Sequence, residues 1–233
     1  MRMLNLNDWL RLLRNPVVFL GLAVDLAPVF AVIFWGWRAA PLVILYWMEN
    51  VVIGVMTPPR MIFVATAKAG LSGLLGGLFM SAFFVLHYGM FCFVHGVFLF
   101  SFLTYFNPQT TPPGDVPFDL GAMFAASSSV APHLGLILGL IIAFQLFVFV
   151  YSFILRGEWK NSGLSEEMMA PYGRVVVLHI GIFAGAAGLV LLGDPMAGVL
   201  ALILLRAVWG VHVNMKARKS VPDKLALAKA GAA

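Results

Sequence analysis

Apolar residues fill long stretches of this chain, and polar residues fall in short groups between them. Turn and proline signals divide the stretches into six segments, at about 16–37, 41–57, 76–105, 132–155, 174–192 and 196–214. A bilayer-spanning helix uses about 20 residues, so each segment is read as one pass. Asn15-Pro16 is a helix start signal for the first segment, and Pro58-Pro59 is expected to end the second. A short amphipathic linker with Arg60 and Lys68 then leads to the third. That segment exceeds one bilayer thickness and is expected to tilt or protrude. Residues 107–119 (NPQTTPPGDVPFD) read as an exposed loop, and Gly193-Asp194-Pro195 as a tight turn. Phe118 to Ser129 is a weakly amphipathic lead into the fourth span. Ahead of the first span, RMLNLNDWLRLLR alternates at helical spacing, which suits a helix lying on the membrane surface. The expected organisation is an interfacial helix over 1–15, a single six-helix membrane domain over 16–214 and a basic tail over 215–233. The fold class is all-α and polytopic.

Composition agrees with this pattern. Of 233 residues, 61% are hydrophobic and 11% charged, whereas a soluble domain is about one quarter charged. The mean hydropathy is +0.95. These values exclude a water-soluble globule, a disordered tail and a disulfide scaffold. Cys92 is the single cysteine and lies inside an apolar run, so no intrachain disulfide forms. The first apolar run is of full spanning length, so no cleaved signal peptide is expected.

Charge orients the chain. With both termini in the cytosol, all of the 15 lysines and arginines except Arg38 and Arg206 flank cytosolic ends of spans. The positive-inside rule therefore places both termini in the cytosol. The net charge of +5 arises from this flanking distribution and not from a soluble basic patch, so no nucleic-acid partner is expected. The partner implied is the lipid bilayer.

Polar residues inside the spans carry the functional argument, because a charge at mid-bilayer costs at least ~2.5 kcal/mol. They are Asp25, Glu49, His87, His95, His179, Arg206 and His212, with Tyr46, Asn50, Tyr88 and Gln145 beside them. Counting 1.5 Å per residue from the cytosolic ends puts Asp25, Glu49, His87, His179, Arg206 and His212 at depths of ~5 to 18 Å, in one leaflet. Tyr46, Glu49 and Asn50 stand at i, i+3 and i+4 and so share a helix face. His87 and His95 are about 12 Å apart along one helix and cannot ligate one ion together. His87 is therefore the better partner for the inner cluster, and His95 belongs to a second site or to none.

Imidazoles and a carboxylate from separate helices are how helix bundles build metal sites. Glu49, His87, His179 and His212 form the expected ligand set for zinc or iron, with Glu49 as ligand or general base. The competing reading is that these groups hydrogen-bond across helices and only fix the bundle. His179 and His212 come close to the requirement for a bis-histidine haem, which is the less favoured cofactor. Arg206 reads as counter-ion to Asp25 or Glu49.

Three blocks, YWMENVVIG (Tyr46 to Gly54), HYGMFCFVHGVF (His87 to Phe98) and APYGRVVVLHIG (Ala170 to Gly181), stand in order along the chain. Together they resemble the motifs of a family of multi-pass prokaryotic membrane proteins, the domain-of-unknown-function 6498 family. The resemblance runs from the second span to the sixth. It brings Trp47, Pro171, Tyr172 and Arg174 into the set of motif positions beside Tyr46, Glu49, Asn50, His87, Tyr88, His95, His179 and His212. Val175 stands where the family pattern favours isoleucine, and Val211 precedes His212 where a polar neighbour is commoner. The resemblance implies a prokaryotic cytoplasmic membrane location and names no reaction.

The functional expectation is a buried Glu/His site in the cytosolic half of the bilayer, binding a divalent metal, with a small or lipid-soluble substrate if it is catalytic. Proton-coupled transport or conduction is the second class. A structural or assembly subunit, or a haem redox protein, is the third. GxxxG spacings such as Gly135 to Gly139 serve contacts within the monomer or a homo-oligomer face.

Overall fold

The first helix starts where Asn15-Pro16 signals it. Proline suits the first helical turn because its missing N–H would have no partner there. Helix α1 is Pro16–Trp35. In the computed structural model, residues 16–106, 119–131, 133–173, 175–176 and 179–180 are described. The expected interfacial helix, the sixth span, the tail, Arg174, Arg206 and His212 lie outside them, as does most of the fifth span. Every regular element among the described residues is helical. Helix α2 is Ala39–Phe106, α3 is Leu120–Val130, α4 is Leu134–Phe147 and α5 is Leu164–Met169. A π-helical stretch, Val148–Leu155, prolongs α4, and a 3-10 turn, Glu158–Asn161, precedes α5.

Helix α2 is a hairpin. Gly70, at φ 59° and ψ −133°, breaks its helical geometry, and the two arms run back along each other from that point. Facing pairs identify the register. A Cβ on Gly77 would meet Ala65 and Ile62, the Tyr88 ring lies against Gly54, and the Trp47 ring lies against Gly96. The Trp47 indole N–H donates to the Cys92 carbonyl at 2.8 Å and fixes the arms nearer their outer end.

The first arm passes through Pro58-Pro59, where the sequence pattern ended a helix, and the expected linker is itself helical. Membrane and bundle packing offset the two missing amide donors. Thr57 donates its hydroxyl to the Ile53 carbonyl at 2.8 Å, and Met61 and Val64 in the next turns are buried.

The elements share two ends. At one, the end of α1 meets the start of α4, with the Trp35 and His133 rings 4.8 Å apart. Gly21 of α1 packs on the Phe144 ring, so α1 and α4 run antiparallel. At the other end, the Gly70 turn is bound to the segment after α4. Arg60 pairs with Glu167 at 2.6 Å, and Lys68 donates to the Ser162 carbonyl. Helix α3 crosses near the first end, with Met123 and Phe124 against Gly96 and Trp47.

Among the described residues, three helical stretches are long and apolar enough to cross a membrane: Pro16–Trp35, Ala39–Ser101 and Leu134–Leu155. Their outer surfaces are apolar. Phe79, Leu86 and Leu71 are each about three-quarters exposed, at 74%, 75% and 73%. Described helices that are apolar outside as well as inside have the pattern of a membrane protein.

Candidate functional site

The second arm of α2 carries rings at every fourth position, Phe83, His87, Phe91 and His95, and i, i+4 spacing stacks them along one face. Their centroids are separated by 5.5 Å, 5.2 Å and 6.4 Å in turn. The series ends at His179, whose ring centre lies 4.3 Å from that of His95 with the planes at 90°. His95 and His179 approach through their Nε2 atoms, which are 2.8 Å apart.

The other ring nitrogens decide what that approach means. Nδ1 of His95 lies 2.6 Å from the Phe91 carbonyl, and Nδ1 of His179 lies 2.8 Å from the Val175 carbonyl. A carbonyl only accepts, so both Nδ1 atoms carry a proton and donate it. In two neutral rings the Nε2 atoms then present bare lone pairs to each other. A shared proton or a bound cation would satisfy that arrangement. A backbone carbonyl holding Nδ1–H is also how metal-ligating histidines are oriented, with Nε2 left for the ion.

The remaining expected residues divide into two groups. Tyr46, Glu49 and Asn50 are buried on the first arm, as their shared face required, and Tyr46 and Glu49 both have partners. The Asn50 amide donates to the Tyr46 carbonyl at 2.8 Å, and the Tyr88 hydroxyl donates to the Asn50 carbonyl at 3.3 Å. This group holds the two arms together. His87 joins neither this group nor the histidine pair. It lies between Phe83 and Phe91, with Tyr172 at 6.1 Å between ring centres. Asp25 is half-buried on α1 and has a partner.

Among the described residues, no three His, Cys, Asp or Glu side chains gather into a group able to hold a metal. Depth counted from Arg174, the expected start of the fifth span, places His179 well below His95. The chain is already alongside the second arm at Tyr172, which packs on Phe84 and Tyr88 at 6.3 Å and 5.7 Å, and Val175 is buried in the same cluster. The climb therefore starts earlier and carries His179 up to His95. The ring spacing from Phe83 to His95 was the signal in the sequence that pointed to this face.

No curated protein and no solved structure matches the chain. A family model matches residues 8–226, nearly its whole length and all three motif blocks, and the chain therefore belongs to the family of unknown function DUF6498.

Proposed function

We propose that this is a six-span membrane protein whose working centre is a metal ion held by Nε2 of His95 and Nε2 of His179. The observation that carries the reading is the pair of inward-facing Nε2 atoms, 2.8 Å apart, on rings whose Nδ1 atoms are committed to carbonyls. At a metal–nitrogen distance of about 2.0–2.1 Å, that separation corresponds to an angle of about 85–90° at the ion. Neighbouring positions of an octahedral ion such as ferrous iron have this geometry. Tetrahedral zinc needs the nitrogens about 3.3 Å apart, and a linear bis-histidine haem about 4 Å. The proposed ion is zinc or iron, with haem the less favoured cofactor.

Glu49 and His87 fall outside this ligand set, since no three donors gather among the described residues. Held by few protein ligands, such an ion would keep open positions and would supply Lewis-acid or redox chemistry to a small or lipid-soluble molecule. Orientation follows from charge. Arg60, Lys68, Arg156 and Lys160 all lie toward the Gly70 end, so that end and both termini are assigned to the cytosol. The location proposed is the prokaryotic cytoplasmic membrane.

The test is metal analysis of the full chain, purified in mild detergent without a histidine tag. One iron or zinc per chain is expected, lost in folded His95→Ala and His179→Ala variants and kept in His87→Phe. Metal retained in both alanine variants overturns the reading. So does a metal-free protein, and proton flux in vesicles that is lost in His95→Ala would then move the function to proton transfer.

A further inference from the structure

We propose that the face of the second arm of α2 around His87 and Tyr172 binds a quinone headgroup, that is, a flat, uncharged, lipid-soluble ring bearing carbonyl or hydroxyl oxygens. The inference stands on residues that take no part in the metal site proposed above. Three observations carry it.

The first is that, among the described residues, two polar groups stand on an apolar helix face without hydrogen-bond partners. Leu86 and Met90, on either side of His87, are 75% and 59% exposed on an apolar helix. His87 itself is half-buried, and so is Tyr172. Among the described residues, neither the His87 imidazole nor the Tyr172 phenol makes a hydrogen bond. Lipid tails offer no donor or acceptor, and an unmet polar group within a bilayer is costly. A ligand arriving from the lipid phase supplies the missing partner.

The second observation is shape. Phe83 stacks on His87 with planes 8° apart and centres at 5.5 Å, and Phe91 stands edge-on to His87 at 5.2 Å. Tyr172 leans in at 6.1 Å. Flat faces and edges arranged in this way suit a planar π-system, by offset stacking or edge contact.

The third is charge. Residues 76–101 contain no Lys, Arg, Asp or Glu. A phosphate or carboxylate headgroup finds no counter-ion along this stretch, whereas a neutral oxygen needs only the imidazole and the phenol. Flat, neutral, oxygen-bearing and lipid-soluble together describe a quinone. His87 lies about 12 Å along the arm from His95, so the two sites are neighbours and remain separate.

The experiment uses the full chain in proteoliposomes and a photoreactive azidoquinone, with decylubiquinone as competitor. Labelling is expected on peptides that contain His87 or Tyr172 and is displaced by the competitor. It falls at least tenfold in His87→Phe, which keeps a ring in place and drops the hydrogen bond, and falls in Tyr172→Phe as well. Circular dichroism melts report that both variants fold, and their metal content stays that of the wild type. Labelling spread equally over the outer faces of α1 and α4 overturns the proposal. So does labelling unchanged in both variants, or displaced as well by a sterol or phospholipid as by the quinone.

Discussion

His95 and His179 meet Nε2 to Nε2 at 2.8 Å although 84 positions separate them in the chain. Each ring is aimed by its own helix, through a carbonyl four positions earlier, at Phe91 and Val175 respectively. The pair therefore needs no further residue to set its tautomers, and its two nitrogens act as one unit.

Removing either ring is expected to remove the unit. His95→Ala or His179→Ala should lower metal affinity by more than the roughly 10- to 100-fold that losing an outer-shell partner costs. The double variant should lose little more than each single one. Competition against a fluorescent chelator measures all three affinities. Losses that simply add would mean that the rings bind independently.

Much of this architecture was legible in the sequence, and the reason is local. Proline at the first helical turn placed the start of α1 at Pro16, and the segment at 132–155 appears as Leu134–Leu155. Spacing of three and four put Tyr46, Glu49 and Asn50 on one buried face. Pairing between helices was not legible, because spacing within one helix says nothing about its neighbour. His179 was counted from Arg174, whereas Tyr172 already packs on the second arm, so the depth estimate fell short. Pro58-Pro59 reads as a stop in water, where the freed carbonyls would end the helix. Packing against the second arm, where Met61 and Val64 are buried, carries the helix onward here. The ion pair of Arg60 with Glu167 spans 107 positions and left no local trace.

Close approach of the hairpin arms depends on Gly96. A Cβ there would lie 2.9 Å from the Trp47 ring and 2.8 Å from the Met123 sulfur. Trp47 is held by its bond to Cys92 and by the Phe100 ring at 5.9 Å, so it has little room to yield. Gly96→Ala is expected to destabilise by about 1–3 kcal/mol, the usual cost of overpacking. Gly89 on the same arm has no atom within 4 Å of its Cβ position, and Gly89→Ala should be neutral or stabilising by a few tenths of a kcal/mol. Thermal unfolding in one detergent compares the two, and equal shifts would refute the packing argument.

Gly70 makes a different demand. Nothing lies within 4 Å of its Cβ position, so sterics with neighbours are not at issue. Its φ of 59° with ψ of −133° is a conformation that side chains other than hydrogen oppose. Gly70→Ala should therefore cost at least about 1–2 kcal/mol. Gly76→Ala, at an equally open but regular helical position, should not. Unfolding midpoints in detergent again decide, and a neutral Gly70→Ala would show that the turn has another way to close.

Arg60 closes the same end of the molecule by two contacts. Its guanidinium donates to Glu167, at 2.6 Å from Nε and 3.4 Å from the second nitrogen, and lies 4.1 Å over the Phe153 ring. Glu167 is buried, while the Arg60 side chain is 26% exposed, so water screens part of the attraction. Arg60→Ala is expected to cost about 1–3 kcal/mol. Arg60→Lys should recover part of the loss, since an ammonium keeps the charge but neither forks to a carboxylate nor stacks on a ring. The change should also be local: proteolysis between Arg156 and Ala170 should speed up in Arg60→Ala while metal content stays constant. Proteolysis unchanged in that variant would mean that the segment is held by other contacts, chiefly those of Lys68 with Ser162.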